Sequence, residues 1–89
     1  MENFLRIDDI KRGLGRSRSA IYRDINNHLL TQPISLGERS VGWPEYEISV
    51  IQAARIAGKS HPEIRTLVHE LMADRVSHYE SLAKGVSHD

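Results

Sequence analysis

The sequence contains no cysteine, which excludes disulfide bridges, thiolate nucleophiles and cysteine-based zinc sites. It also has no excess of charge, because twelve basic and twelve acidic residues cancel. Such a balance argues against a histone-like tail and against an acidic mimic of nucleic acid. The longest unbroken apolar runs are three residues, too short for a transmembrane helix. With 39% hydrophobic and 27% charged residues, the composition is that of a globular protein.

A length of 89 residues predicts one domain, or one domain with a tail. Residues 1–6 have an acid in second position and no apolar core, so we predict no secretory signal and a cytoplasmic location. The five histidines have no paired ligand spacing, and we therefore expect no metal and no cofactor. No nucleophile-elbow, P-loop or H-E-x-x-H motif is present, so we predict that the chain is not an enzyme.

Charge is unevenly distributed along the chain. Residues 1–43 carry seven basic and five acidic side chains, whereas residues 44–89 carry five basic and seven acidic ones. The stretch from Lys11 to Arg23 holds five positive charges and no carboxylate. A cluster of this kind suits a surface that faces phosphates, although a solvated helix face would have the same composition.

The first elements are a short strand and a helix. Residues 4–7 are typical of a small edge strand, and Asp8 or Asp9 is expected to cap the helix that follows. Gly13 and Gly15 are expected to end this helix, because glycine supplies the positive φ of a tight turn. The residues at helical spacing on its buried side are Ile7, Ile10 and Leu14.

A second helix is predicted to begin at Ser17, a good N-cap, and to fray over residues 26–28. Arg18 lies in its first turn, where a long side chain reaches past the helix end. One side carries the apolar residues Ile21, Ile25 and Leu29. The opposite side carries Ser19, Tyr22, Arg23 and Asn26.

A β-hairpin and a third helix are predicted next. Apolar residues alternate on both sides of a glycine-containing turn at 37–39, which places Arg39 at the hairpin tip. The alternating residues are Ile34 and Leu36, then Val41 and Trp43. Pro44 is expected as the first residue of the third helix, and Gly58 is expected to end it. Its inward residues are Ile48, Ile51 and Ala54.

The last helix starts with a capping box formed by Ser60 and Glu63. Arg75 interrupts its apolar stripe, so either the helix loosens near residues 73–74 or Arg75 has a carboxylate partner. The stripe is expected either to fold back on the first and third helices or to meet a second copy of the chain. Residues 84–89 are expected to be frayed. The stripe comprises Ile64, Leu67, Val68, Leu71, Met72, Val76, Tyr79 and Leu82.

This order of elements predicts a mainly α fold with a small β-hairpin wing, namely a winged helix-turn-helix plus a C-terminal amphipathic helix. We expect residues 1–58 to form the DNA-binding domain and residues 59–89 a helical extension for packing or oligomerisation. The second helix would enter the major groove, and the wing would reach backbone phosphate or a narrow minor groove. The predicted DNA-binding residues are Arg16, Ser17, Arg18, Ser19, Tyr22, Arg23, Asn26 and Arg39.

Each of these residues also has a purely structural interpretation. Tyr22 could be a core aromatic with its hydroxyl at the surface, Arg23 could pair with a carboxylate, and Arg39 could be an ordinary turn residue. Trp43 is expected to pack rather than to stack on a base.

Three segments, residues 15–23, residues 33–37 and residues 38–43 with Glu47-Ile48, resemble the AlpA-type prophage regulatory proteins. The resemblance covers about residues 4–58 and includes the Ser17-Arg18-Ser19 helix start and the hairpin ending in Gly42-Trp43. It implies a small MerR-like winged-helix DNA-binding protein, some of whose relatives are excision factors that direct an integrase. By position, the resemblance assigns Ser17, Arg18, Ser19, Tyr22 and Arg23 to the recognition helix, Arg39 to the wing, and structural roles to Gly15, Gly37 and Trp43.

The sequence also departs from the family pattern. Arg16 replaces a usual aliphatic residue, and it either adds a DNA contact or loosens the turn. His28 replaces the glycine that commonly ends the recognition helix. Leu30-Thr31 and Ile51 replace a usual Phe-Pro and a frequent Trp.

We therefore expect a sequence-specific, nucleoid-associated transcriptional regulator of a prophage or integrated element. The alternatives are an excisionase-type architectural factor and, in a different class, a protein-interaction adaptor that uses the last helix. The expected partners are double-stranded DNA, a second copy through the last helix, and an integrase or RNA polymerase, with no membrane.

Overall fold

The computed structural model of the chain describes residues 3–86 and has the predicted architecture, a helix-turn-helix with a hairpin wing and a C-terminal helix. The elements are β1 Phe4–Leu5, α1 Ile7–Leu14, α2 Arg18–Asn26, β2 Ile34–Gly37, β3 Ser40–Pro44, α3 Glu45–Ile56 and α4 His61–Ala83. The three strands form one antiparallel sheet in the order β1-β3-β2, so that β1 is an edge strand as predicted. Its partner is β3, with Phe4 opposite Pro44 and Leu5 opposite Trp43.

The start of α1 corrects the predicted cap. The capping position is Arg6 rather than Asp8 or Asp9, and the predicted edge strand stops at Leu5 because α1 already begins at Ile7. Asp9 stabilises the first turn from inside the helix, where its carboxylate accepts a hydrogen bond from the Arg6 backbone N–H at 2.9 Å. A carboxylate at the third helical position reaches back to the cap in this way, which the spacing alone did not distinguish from an N-cap.

The turn between α1 and α2 depends on one glycine, not two. Gly13 lies within α1, so its predicted role as a helix stop is wrong. Gly15 ends the helix with a φ of 63°, in the left-handed region that glycine adopts without steric cost. Ser17 then caps α2 as predicted, and its hydroxyl accepts a hydrogen bond from the Ala20 backbone N–H at 3.2 Å.

The predicted hairpin is confirmed, and α3 begins one residue later than predicted. Pro44 is the last residue of β3 and the residue before α3, with an extended ψ of 130°. It therefore ends the strand and is not the first residue of the helix. Gly58 follows the end of α3 with a φ of 80°, as expected of a helix terminator.

One hydrophobic core joins all four helices to the sheet. Trp43 is completely buried, and its indole N–H donates to the Thr31 carbonyl oxygen at 2.8 Å, which confirms packing for this residue. The buried apolar residues are Ile10, Ile21, Ile25, Leu29, Leu30, Trp43, Ile48, Ile51, Ile64, Val68 and Leu71.

The last helix, α4, begins at the predicted capping box. The Ser60 hydroxyl accepts from the Glu63 backbone N–H, and Glu63 accepts from the backbone N–H of Ser60. The Ser60 backbone N–H and hydroxyl both donate to the Glu63 carboxylate, and these two hydrogen bonds, with the nearby charge of Lys59, hold the pKa of the Glu63 carboxyl below its usual range.

Only the first half of α4 lies on the core. Ile64, Val68 and Leu71 are buried, whereas Val76, Tyr79 and Leu82 are 57%, 70% and 63% exposed. Of the two alternatives for the stripe, folding back on the body holds only for its first half, because the body of the protein ends before the helix does. Part of the tail that was expected to fray, residues 87–89, lies outside the described residues.

Arg75 has the carboxylate partner that the sequence left open. The helix continues unbroken past residues 73–74, and the Arg75 guanidinium donates to both Glu47 oxygens at 2.8 and 2.6 Å. It also donates to the Gln32 carbonyl oxygen at 2.7 Å. Within residues 3–86, no helix combines the length and the apolar character needed to cross a membrane.

Candidate nucleic-acid interface

Helix α2 has one buried face and one exposed face, as its sequence periodicity predicts. Ala20, Ile21 and Ile25 lie in the interior. The side chains that point to solvent are the predicted polar set, Arg18, Ser19, Tyr22, Arg23 and Asn26. The buried isoleucines hold the helix to the core while its first turns remain accessible from outside.

Arg18 and Tyr22 form a pair on the exposed face. The guanidinium carbon of Arg18 lies 5.9 Å from the centroid of the Tyr22 ring, within the range of a cation–π interaction. Tyr22 is at the surface rather than in the core. Stacking of this kind orients the arginine without consuming its hydrogen-bond donors.

Several basic side chains have no ion pair in the part of the chain that the structure describes. They include Arg18 and Arg23 on α2 and Arg39 at the hairpin tip. Arg39 is exposed and has a φ of 56°, in the left-handed region that tight hairpin turns use. The carboxylate partner considered for Arg23 is thus not found among residues 3–86.

The basic stretch from Lys11 to Arg23 is partly neutralised by residues outside it. Arg12 pairs with Asp9, one turn earlier on α1. Arg16 hydrogen-bonds through Nη2 to Asp24 Oδ1 at 3.1 Å, and its Nε lies 2.8 Å from Oδ2 although that N–H is not directed at an acceptor. The cluster therefore presents fewer free charges than its composition indicates.

Asp24 and Arg55 belong to this region and were missed by sequence reasoning. Asp24 is buried on the inner face of α2, where Arg16 and Arg55 both approach its carboxylate. Arg55 also donates to the Leu29 carbonyl oxygen at 3.2 Å, which links α3 to the end of α2. The sequence did contain a signal for this pairing, because Asp24 lies on the same helical face as Ile21 and Ile25 and a buried charge requires a partner.

The wing is attached to the same body as α2. Trp43 on β3 and Ile21 on α2 both belong to the core, and the Arg6 guanidinium donates to the Ser40 hydroxyl oxygen at 2.8 Å. That the exposed arginines of α2 and Arg39 engage one ligand together stays a prediction.

Comparison with known proteins gives one family and one curated relative. The family model described as "Prophage CP4-57 regulatory protein (AlpA)" matches residues 3–56. The uncharacterized protein ORF88 of Enterobacteria phage P4 is 38% identical over 58 residues, which are 65% of this chain and 66% of the phage protein. No solved structure matches the chain.

Proposed function

Because the chain belongs to the AlpA family of prophage regulatory proteins, we propose that it binds duplex DNA sequence-specifically and controls transcription of a prophage or integrated element. The observation that carries the proposal is helix α2, whose inner face is fixed by the core and whose outer face offers unpaired donors. Its first turns enter the major groove, where each base pair shows a distinct pattern of donors and acceptors.

The exposed residues of α2 divide into base-reading and phosphate-binding groups. Arg18, Tyr22, Arg23 and Asn26 are long or forked enough to reach base edges from a helix in the groove. Ser17 and Ser19 are at the helix start, where hydroxyls and free backbone N–H groups suit a phosphate oxygen. Arg39 at the wing tip binds the flanking backbone.

Arg16 takes a limited part in the proposed interface. Its guanidinium donates one hydrogen bond to Asp24 through Nη2, while about a third of the side chain (35%) stays exposed. We assign that exposed edge to a phosphate contact and the buried edge to fixing the turn before α2. This division explains why a long basic residue is compatible with a tight turn.

A second copy of the chain is the proposed protein partner. The exposed second half of α4 carries the apolar residues Val76, Tyr79 and Leu82, which are three positions apart along one side of the helix and form a surface that a second helix would cover. Two copies joined there would suit paired half-sites about one helical turn apart. An integrase or RNA polymerase contact would be additional to this pairing, and the excision-factor role needs the same DNA-bound geometry.

A gel shift tests the proposal with upstream DNA from the protein's own locus at several salt concentrations. Affinity should fall with salt, with a log–log slope of about −0.9 for each phosphate neutralised. Arg23→Ala should cost about 1–3 kcal/mol and relax discrimination at one base pair, and Arg18→Ala should also weaken binding.

Arg12→Ala is the matched control, because Arg12 is an exposed arginine on α1 that already pairs with Asp9. It should bind DNA nearly as well as the parent. If Arg18→Ala and Arg23→Ala also bind like the parent, the DNA-binding proposal is wrong, and the result would favour a protein-interaction adaptor instead. Genomic position beside an integrase gene would favour the mobile-element role.

A further inference from the structure

A cavity of about 360 Å³ lies beside the recognition helix, next to its buried Asp24. Its polar lining comes from α2, α3 and α4 and from the two connections α1–α2 and α3–α4, and consists of Arg16, Asp24, Arg55, Lys59 and His61. Leu29 and Ile64 supply apolar walls. The volume falls at the lower end of the roughly 300–1,000 Å³ typical of small-ligand sites.

The cavity lining has a surplus of positive charge. Arg16, Arg55 and Lys59 contribute three cations, and Asp24 contributes the one carboxylate of the lining. Asp24 is shared by both arginines, at 2.8 Å from Arg16 and 3.4 Å from Arg55, so one negative charge faces two guanidinium groups. With histidine counted as neutral, the net charge of the lining is therefore two positive charges.

Glu63 is a nearby carboxylate that could cancel this surplus, but its ion pair with Lys59 is weak. It lies 3.7 Å from the Lys59 ammonium group, and both side chains are more than half exposed. Exposed pairs of this kind are screened by water and contribute little. Glu63 is also held by Ser60, which keeps its oxygens at the cap of α4.

We propose that this cavity binds a phosphate group. A phosphate monoester near neutral pH carries roughly −1.5 to −2 charges and several strong acceptor oxygens, which match the charge surplus and the guanidinium donors. Two sources share this chemistry, a free phosphorylated molecule and the DNA backbone, and the second rests on the proposed function. A bound phosphate group would contact Lys59 and also the two arginines, Arg16 and Arg55, that pair with Asp24 on α2.

The first experiment uses the free full-length protein and inorganic phosphate, followed by backbone amide NMR at constant ionic strength. We expect saturating shift changes confined to the residues around Arg16, Arg55 and Lys59. Lys59→Ala should weaken phosphate binding by about fivefold, the upper range for one exposed charge pair. This arm does not depend on any DNA activity of the protein.

Lys84→Ala is the matched control, since it removes an exposed lysine about 35 Å away along α4. It should leave the phosphate titration unchanged. The proposal is overturned if the shifts are scattered or do not saturate, or if Lys59→Ala titrates like the parent. Lys59 is exposed, so its loss does not endanger the fold.

The second experiment repeats the titration on the protein bound to its DNA duplex. If the backbone occupies the cavity, phosphate causes no shifts in the complex, and Lys59→Ala lowers the salt slope by about 0.9. If the natural ligand is a free phosphate compound, phosphate still binds the complex and the slope is unchanged. Both outcomes support the site and identify its ligand, whereas failure to bind DNA would refute only the proposed function.

Discussion

His28 shows how a single residue can occupy a conformation that its type disfavours. It follows the end of α2 with a φ of 60°, in the left-handed region that costs a non-glycine residue about 1–2 kcal/mol. Resemblance to the family already marked this position as one where glycine is common. The structure supplies the physical reason, because the chain must reverse here to bring Leu29 and Leu30 into the core.

Replacement of His28 by glycine should therefore stabilise the protein. We expect His28→Gly to raise the free energy of unfolding by about 0.5–1 kcal/mol, the relief of strain less the greater entropy of glycine in the unfolded chain. Urea unfolding measures it. Asn27→Gly is the control, since Asn27 has a φ of −92° and glycine there should destabilise. A lower stability for His28→Gly would contradict the assignment of strain.

Buried carboxylates are the other informative residues. Asp24 and Glu47 are both in the interior, and each is paired with arginine from a distant part of the chain. Burial of a charge is expensive unless its partner and geometry are good. These pairs consequently define where the helices that carry them can sit.

At the scale of elements, α4 has two parts with different environments. Its first half completes the core, and its second half extends into solvent with apolar side chains that nothing in residues 3–86 covers. The same periodicity runs through both halves, so helical spacing alone could not show where the core ends. That limit depends on the size of the body against which the helix packs.

Disruption of the exposed half of α4 should change the oligomeric state and leave the fold intact. Tyr79→Lys places a charge at the centre of the proposed helix pairing, so we expect a monomer in sedimentation velocity where the parent is a dimer. Circular dichroism should be unchanged, because Tyr79 is 70% exposed. Ser81→Lys adds the same charge on the opposite side of α4 and should remain dimeric. If the parent stays monomeric at high concentration, the proposed pairing of two copies is wrong.

At the scale of the whole molecule, Arg75 connects three separate parts. It joins α4 to Glu47 on α3 and to the Gln32 carbonyl just ahead of the wing strand β2. Because Glu47 is completely buried, loss of its partner would leave an unpaired carboxylate in the interior. This buried ion pair therefore helps to orient the C-terminal helix relative to the wing, in addition to the core packing of Ile64, Val68 and Leu71.

Arg75→Met should destabilise the protein by about 3–5 kcal/mol, the usual cost of breaking a buried pair by removing one partner. The double variant Glu47→Met with Arg75→Met should recover most of that loss, since no buried charge then remains. Chemical unfolding of both variants measures the difference. Equal stability of Arg75→Met and the parent would show that Glu47 does not depend on this arginine.

The order of the elements, the inner and outer faces of α2 and the caps at Ser17 and Ser60 all follow from the amino-acid sequence. These features depend on side-chain periodicity and on hydrogen bonds between residues at most a few positions apart, so they can be derived from the sequence. The helix end predicted at Gly13 and the helix start predicted at Pro44 were each wrong by one or two residues. Both errors have the same reason, because several neighbouring positions satisfy a local rule equally well.

Which charges are free and which are paired depends on the packing of the folded chain. Asp24 meets Arg55 across 31 positions, and Glu47 meets Arg75 across 28, distances over which no sequence pattern is repeated. The packing of α3 and α4 on the core brings these groups together, and burial then makes pairing obligatory. The same packing leaves Arg18, Arg23 and Arg39 exposed and gathers Arg16, Arg55 and Lys59 around one cavity.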